Sequence, residues 1–306
     1  MNSKNRILAC VCLFLVFLSC ASRADIIHIP EMPVYPSSSQ EHAPYNPKPL
    51  DDPGKDDLLE IWFGKVSVCD CIAIRCHGQT MLIDGGNRMN GGATIAFMNA
   101  LRFTHADYLF NTHHHDDHIE MQEALLRRGL LTADVFLTPY PRNYNVELQQ
   151  QMEATVLARG VEYRQVFDGD VLYLGGEKGA RVEFHRWTGS TNANYSSVFA
   201  RITYGERSIW LMADVIGKAQ KVLAKQRKDI DWKADLLKAG HHGYSRQDEK
   251  LLKKMSPELV IITSSQTSAK PTIEQMDIKK IPWLITNAGT IYMRTDGKQD
   301  WFWNQD

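Results

Sequence analysis

Short apolar runs alternate with amphipathic stretches along most of the chain beyond residue 57. Runs rich in β-branched and aromatic residues predict strands at 58–63, 66–75, 79–83, 108–111, 135–137, 161–166, 171–174, 181–185, 197–204 and 208–212. Apolar residues at helical spacing predict helices at 93–102, 119–128, 146–158 and 216–228. Alternating elements continue to residue 285, and a hairpin is predicted at 289–303. This order predicts an α/β fold with helices outside mixed sheets.

The first 24 residues have the pattern of an export signal. Lys4 and Arg6 form a basic start, and an uncharged apolar run follows at 7–18. The run is shorter than the roughly 20 apolar residues that cross a membrane. We therefore expect residues 1–24 to be a signal peptide and the protein to be exported to the cell surface or the periplasm.

The segment 17–20, Phe-Leu-Ser-Cys, resembles a bacterial lipobox. We expect a lipid anchor on Cys20, with ordinary cleavage after Ala24 as the alternative. Residues 25–57 are rich in proline and are expected to form an extended tether, or else to wrap over the surface of the domain. The remainder, 58–306, has the length of one sizeable domain.

Charge and cysteine content exclude few functions. The chain has 35 Lys and Arg residues against 36 Asp and Glu residues, so its net charge gives no general signal for binding a polyanion. Basic residues nevertheless gather around the helix predicted at 216–228, which keeps nucleic acid among the candidate substrates, although a solvated helix face is the other interpretation. Beyond Cys20 only Cys69, Cys71 and Cys76 remain, an odd number that predicts no disulfide framework.

The densest group of candidate metal ligands is 113–118, His-His-His-Asp-Asp-His, which directly follows a predicted strand. Alternate side chains of an extended segment face the same way, so His113 and His115 share one side. Asp117 and His118 come where the chain turns into the next helix, and there they can face a second ion. Histidine with carboxylate suits zinc, and also iron or manganese.

Three later histidines also follow strand-like runs. His185 ends the strand predicted at 181–185, and His241 and His242 come after another apolar run. Ligands at strand ends converge on one edge of a sheet, which allows side chains distant in sequence to share an ion.

These motifs resemble those of the metallo-β-lactamase superfamily. The matching segments are Leu-Ile-Asp-Gly-Gly at 82–86, His-x-His-x-Asp-His at 113–118 and Trp-Leu-Met-Ala-Asp at 210–214. Three further segments are most similar to the hydrolase domain of the DNA-uptake channel proteins called ComEC or Rec2, at 194–198, 237–244 and 257–262. The resemblance implies a four-layer αββα sandwich.

The resemblance also implies a centre of two divalent metal ions. One ion is expected at His113, His115 and His185, the other at Asp117, His118 and one of His241 or His242, with Asp214 bridging the two. His241 is favoured as the ligand, which leaves His242 for a catalytic or substrate contact. Zinc is the expected metal, with manganese or iron as alternatives; it is favoured over manganese because ComEC proteins often have aspartate where this chain has His115.

The expected activity is hydrolysis, most readily of a phosphodiester in a nucleic acid, a nucleotide or another phosphoester. Two ions sharing a water can deliver hydroxide at neutral pH, so no side-chain nucleophile is needed. Asp117 is expected to orient the hydroxide, and Asp84 to fix the histidine loop through hydrogen bonds. The alternative is a non-catalytic, metal-containing binding domain at the cell surface.

Overall fold

In a computed structural model, residues 57–305 form two facing β-sheets with helices on their outer sides. The signal peptide, Cys20 and nearly all of the proline-rich segment predicted at 25–57 lie outside the described residues. Within residues 57–305, none of the helices has the length and apolar character needed to span a bilayer.

The first sheet has eight strands in the order β15-β14-β1-β2-β3-β4-β5-β6. Their bounds are β1 (Leu59–Phe63), β2 (Ile72–Cys76), β3 (Gln79–Ile83), β4 (His105–Phe110), β5 (Thr132–Thr138), β6 (Glu162–Gln165), β14 (Ile291–Thr295) and β15 (Phe302–Gln305). The strands from β3 to β6 run parallel, and the others pair antiparallel.

The second sheet has seven strands in the order β13-β12-β11-β10-β9-β8-β7. Their bounds are β7 (Val171–Leu174), β8 (Ala180–His185), β9 (Phe199–Tyr204), β10 (Arg207–Leu211), β11 (Leu236–Lys238), β12 (Leu259–Ile262) and β13 (Trp283–Ile285). Here the strands from β10 to β13 run parallel.

Three apolar cores hold four layers together. One lies between the two sheets and includes Ile61, Ile202 and Trp303. The second joins the outer face of the first sheet to helices α1 (Gly91–Ala100), α2 (Asp116–Arg128) and α3 (Glu147–Ala158). The third joins the second sheet to α4 (Lys218–Gln226), α5 (Glu249–Met255) and α6 (Lys270–Lys279). This layer order confirms the predicted αββα sandwich.

The parallel strands bring their carboxyl ends, and the loops that follow them, to common edges. Ile83 at the end of β3 pairs with Phe110 at the end of β4, and Leu211 at the end of β10 pairs with Lys238 at the end of β11. The loops after these strands carry Asp84, the cluster at 113–118, Asp214 and the histidine pair. Binding sites in open α/β sheets form at such carboxyl ends.

Most predicted elements differ from the observed ones by a few residues at one end, and two of these differences affect the surroundings of the candidate site. The strand predicted at 66–75 begins only at Ile72, because residues 66–71 form a loop that the Gly64 N–H closes with the Cys71 carbonyl at 3.0 Å. Its buried cysteine and valine side chains imitate a strand pattern. Helix α2 begins at Asp116, before the predicted 119, so Asp117 and His118 lie in its first turn, where carboxylates suit the helix dipole.

Candidate metal centre

The histidine cluster covers the extended link after β4 and the first turn of α2. His113 and His118 are fully buried, and their ring centres are 4.2 Å apart. The ring of His115 lies 4.6 Å from that of His113. His114 turns away from this pair of rings and packs against Tyr140, while Asp116 is exposed to solvent. The alternation predicted for His113 and His115 therefore holds, with His114 facing elsewhere.

Asp214 lies between two sets of histidines. Its Oδ1 is 3.3 Å from His118 Nε2 and 3.4 Å from His242 Nε2. Its Oδ2 is 3.6 Å from His113 Nε2 and 3.7 Å from His241 Nε2. One carboxylate oxygen thus faces each set, which is the geometry that a bridging ligand requires.

Around Asp214, potential ligand atoms form two adjacent groups. In one, the atoms of Asp117, His118, Asp214 and His242 all lie within 4.8 Å of one another; in the other, those of His113, His115 and Asp214 do. His118 Nε2, His113 Nε2 and both Asp214 oxygens are buried and have no hydrogen-bond partner among residues 57–305. Buried polar atoms are rarely left without partners, and nitrogen lone pairs facing a carboxylate fit divalent cations.

The two adjacent histidines, His241 and His242, have positions opposite to those expected from the sequence. His242, rather than His241, stands in the group with Asp117, and its Nε2 is 3.2 Å from Asp117 Oδ2. His241 instead lies beside the Asp214 oxygen that faces His113, and its Nε2 is 3.2 Å from Asn194 Nδ2. Both residues of the pair have left-handed backbones, with φ of 50° and 53° in the short 3-10 turn after β11. The alternation of side chains along a strand therefore does not predict which of the two rings faces Asp117.

His185 belongs to none of the groups of potential metal ligands among residues 57–305. Its ring packs 5.6 Å from Phe199 and 5.5 Å from Trp210, and its Nδ1 is 3.7 Å from Asp168 Oδ1. The strand β8 ends at this residue as predicted, but the side chain is held in an aromatic pocket. Metal binding by His185 and by the other candidate ligands stays a prediction.

Asp84 fixes the histidine loop, as the sequence predicted. Its Oδ1 accepts a hydrogen bond from the Thr112 N–H at 2.8 Å, and its Oδ2 accepts one from the Thr112 hydroxyl at 2.7 Å. The same Oδ2 lies 2.7 Å from His118 Nδ1. Because Nδ1 bonds to Asp84, the other ring nitrogen of His118 faces Asp214 with its lone pair available.

A second carboxylate, Asp70, does the same for His242, and sequence reasoning did not assign it a role. Its Oδ1 is 3.2 Å from His242 Nδ1 and accepts a hydrogen bond from the Thr263 hydroxyl at 2.6 Å. Its other oxygen pairs with Lys238, whose side chain is fully buried. The available signal was that Asp70 keeps the last position of a motif that ComEC proteins carry as Val-Gly-Gln-Gly-Asp.

The charges of the centre are mutually dependent. Burial opposes ionisation of Asp214, but His118 and His242 outweigh it and hold the pKa of Asp214 well below its usual range. Burial likewise opposes charge on His242, yet Asp214 and Asp70 raise the pKa of this histidine to about 9. Burial and the nearby His118 lower the pKa of His113, which favours its neutral, metal-binding form. The buried carboxylates Asp214 and Asp70 therefore stabilise positive charge on His242.

Comparisons with known proteins give matches in structure alone. No protein-family model matches the chain, and no curated protein matches it in sequence. CmlA, a diiron β-hydroxylase from Streptomyces venezuelae, is 16% identical over 74% of this chain and 51% of its own, with a TM-score of 0.50. Igni18, a metallo hydrolase from the archaeon Ignicoccus hospitalis, is 14% identical over 77% of this chain and 98% of its own, with a TM-score of 0.45. The metallo-β-lactamase SMB-1 is 13% identical over 72% of this chain and 96% of its own, with a TM-score of 0.41.

The four layers and the match to CmlA establish the αββα sandwich fold that the resemblance implied. The chain spans 51% of the length of CmlA, and at these identities the likeness establishes the fold alone. A closer relation to ComEC-like hydrolase domains stays a prediction.

Proposed function

We propose that this protein is an exported, dinuclear metal-dependent hydrolase that acts on a phosphodiester. The observation that carries the proposal is the position of Asp214, a buried carboxylate with one oxygen facing His118 and His242 and the other facing His113 and His241. When bound there, two divalent ions would lower the pKa of a water towards neutrality and offset charge on the attacked phosphorus.

The residues of the chain have separate tasks in this proposal. Asp214 holds the two sites at a fixed separation. Of the two carboxylates among the candidate ligands, Asp117 is the more accessible, since its side chain is 24% exposed against 1% for Asp214. It can therefore contact the reacting water. His242 is fully buried and faces Asp117 and Asp214, which suits a metal ligand better than the catalytic or substrate contact expected from the sequence. Tyr244, which is 43% exposed beside His241, is better placed for that contact.

Zinc is the expected metal, because histidine nitrogens are the main donors, with iron and manganese as alternatives. Export, with a lipid anchor on Cys20, belongs to the same proposal. The site favours an anionic ester because two bound divalent ions would outweigh the two carboxylates among their candidate ligands, Asp117 and Asp214, and leave a net positive charge. A phosphodiester carries one negative charge and needs that charge offset in the transition state.

The test combines elemental analysis with turnover of bis(p-nitrophenyl) phosphate, on protein purified without a histidine tag. We expect about two ions per chain and chelator-sensitive turnover. Asp214→Asn should lower the metal content and remove turnover, because the amide offers one oxygen in place of two. The matched control is Asp231→Asn, an exposed aspartate that pairs with Arg201 outside every group of potential ligands among residues 57–305, and it should leave both quantities unchanged.

Other outcomes decide against this proposal. Two ions without turnover on any ester would favour the non-catalytic binding domain. Unaltered metal content and turnover in Asp214→Asn would contradict the bridging role, and protein without specifically bound metal would overturn both functions.

A further inference from the structure

A group of aromatic rings extends outward from the candidate metal centre. We call His114, Tyr140 and Tyr144 the aromatic wall. Tyr140 and Tyr144 are stacked with ring centres 4.4 Å apart and planes at 28°. The ring of His114 lies 5.1 Å from that of Tyr140 and 6.0 Å from that of Tyr144. Three elements build the wall, since His114 precedes α2, Tyr140 follows β5 and Tyr144 precedes α3.

The wall begins next to the metal-facing histidines. His114 stands in the chain between His113 and His115, and its ring centre is 5.5 Å from that of His115. Tyr140 is buried and supports the wall, whereas His114 and Tyr144 are partly exposed. A ligand held at the metal centre could therefore lay a planar group against these two side chains.

Arg186 adds a positive charge to this surface. Its guanidinium carbon lies 5.5 Å from the ring centre of Tyr140, and its Nε and Nη1 donate to the carbonyls of Ser196 and Pro139 at 2.8 and 3.0 Å. Among residues 57–305, this guanidinium forms no ion pair with a carboxylate within 4.0 Å.

Other partly buried arginines of the same domain differ in this respect. Arg201 pairs with Asp231 at 3.0 Å, and Arg227 with Asp168 at 3.0 Å. Arg186 is instead held in place by backbone carbonyls, so its guanidinium lies beside the wall without an ion pair among residues 57–305. A fixed cation over aromatic rings attracts an anionic ligand and stacks on planar groups.

We propose that the aromatic wall and Arg186 form a subsite for a planar aromatic ring on a phosphate ester, either an aryl group or a nucleobase. The inference rests on the proposed function and names the substrate class of the same centre. The phosphate is held at the metal centre, the ring stacks against Tyr144 and His114, and Arg186 offsets the charge of the phosphate. Base stacking of this kind is sequence-tolerant, so ring shape rather than base identity decides binding.

The experiment measures binding to the zinc-loaded protein by calorimetry and does not depend on turnover. Phenyl phosphate is compared with methyl phosphate, and thymidine 5′-monophosphate with ribose 5-phosphate. We expect each ring-bearing member to bind roughly tenfold tighter than its partner, the lower part of the range for aromatic stacking. Preference in the phenyl pair alone identifies an aryl subsite, and preference in both pairs identifies one that also takes nucleobases.

In each pair, the ratio of the two dissociation constants measures the preference for the ring. Tyr144→Ala should reduce both ratios to about twofold or less, and Tyr144→Phe should retain them, because the ring rather than the hydroxyl makes the contact. The matched control is Tyr173→Ala, an exposed tyrosine on the edge strand β7, which should keep the wild-type ratios. Zinc content is measured on every variant, so that a loss of the centre is distinguished from a loss of the wall.

Equal binding within each pair by the wild-type protein, or no binding of any of these phosphates, would overturn the subsite. A ratio that survives Tyr144→Ala would overturn it as well. A ring preference in a protein that hydrolyses no ester would support the subsite and contradict the proposed hydrolase activity, so the two failures are separate.

Discussion

Two buried carboxylates decide which ring nitrogen of His118 and of His242 faces the metal centre. Asp84 lies 2.7 Å from Nδ1 of His118, and Asp70 lies 3.2 Å from Nδ1 of His242. In both histidines the remaining nitrogen, Nε2, points at Asp214. Carboxylates behind metal-binding histidines fix the tautomer and the ring orientation, and their loss typically weakens metal binding about 10–100-fold.

Asp70→Asn tests the carboxylate behind His242. The change leaves the ammonium of Lys238 buried without its partner, so we expect a loss of about 3–5 kcal/mol in the free energy of unfolding. Zinc affinity should fall about 10–100-fold, because His242 loses its orienting anion. Urea denaturation and a zinc competition titration measure the two effects.

The double variant Asp70→Asn, Lys238→Met separates charge burial from ligand orientation. Removing both charges should restore most of the lost stability, while zinc affinity stays low. Full recovery of zinc affinity in the double variant would contradict the orienting role of Asp70.

Asp84→Asn should weaken zinc binding by a similar factor of about 10–100, because an amide cannot accept all the hydrogen bonds that this carboxylate receives. The matched control is Asp107→Asn, whose carboxylate accepts from the N–H and hydroxyl of Thr80 at 2.7 and 2.8 Å, away from the centre. A chelator competition assay measures the zinc dissociation constant. Equal losses of zinc affinity in Asp84→Asn and Asp107→Asn would indicate a general effect on the first sheet instead.

At the scale of elements, the loop after β3 positions the helix that carries Asp117 and His118. Gly85 packs so closely against α2 that a Cβ there would lie 2.7 Å from the backbone nitrogen of Gln122. The Gly85 N–H also bonds to the His118 carbonyl at 2.7 Å. The loop and the helix therefore form one unit, and only glycine permits this approach.

Gly85→Ala should force α2 away from the loop and cost about 1–3 kcal/mol of stability through overpacking. Zinc affinity should fall with it, because His118 moves with the helix. Gly92→Ala is the control: a Cβ at this position of α1 meets nothing within 4 Å, and alanine favours the helix by about 1 kcal/mol. Thermal unfolding and zinc titration of both variants measure the contrast, and equal behaviour of the two variants would contradict the packing argument.

At the scale of the whole molecule, the candidate metal centre joins the two sheets. The cluster at 113–118 follows a strand of the first sheet, and Asp214 and the pair at 241–242 follow strands of the second. The apolar core between the sheets is extensive without any ion, because it includes residues of strands from both sheets. We therefore expect the ions to stabilise a domain that already folds, rather than to be required for folding.

Removal of zinc by a chelator should lower the unfolding temperature while leaving a single cooperative transition. Ligand binding at about 1,000 times the dissociation constant adds about 4 kcal/mol of stability, and chelation would remove that amount. Scanning calorimetry with and without chelator measures the shift. Complete unfolding on chelation at room temperature would contradict this expectation and favour a structural role for the ions.

Local patterns predicted several elements closely. The strands at 79–83 and 171–174 have the predicted bounds, and the helix expected at 146–158 is observed as Glu147–Ala158. These segments have apolar periodicity that matches the layer they pack against, so local sequence and tertiary structure agree. The loop at 66–71 shows the opposite case, since its side chains are buried for reasons that no local period expresses.

The sequence by itself determined the fold class and the place of the candidate centre, because apolar periodicity sets the elements and the chain order of His113, His118 and Asp214 sets the motif. Tertiary structure decided which of His241 and His242 faces Asp117, because both residues have left-handed backbones in a turn, where strand alternation does not set the direction of the rings. It also decided that Asp70 pairs with Lys238, 168 residues further on, because such a contact depends on how the two sheets pack.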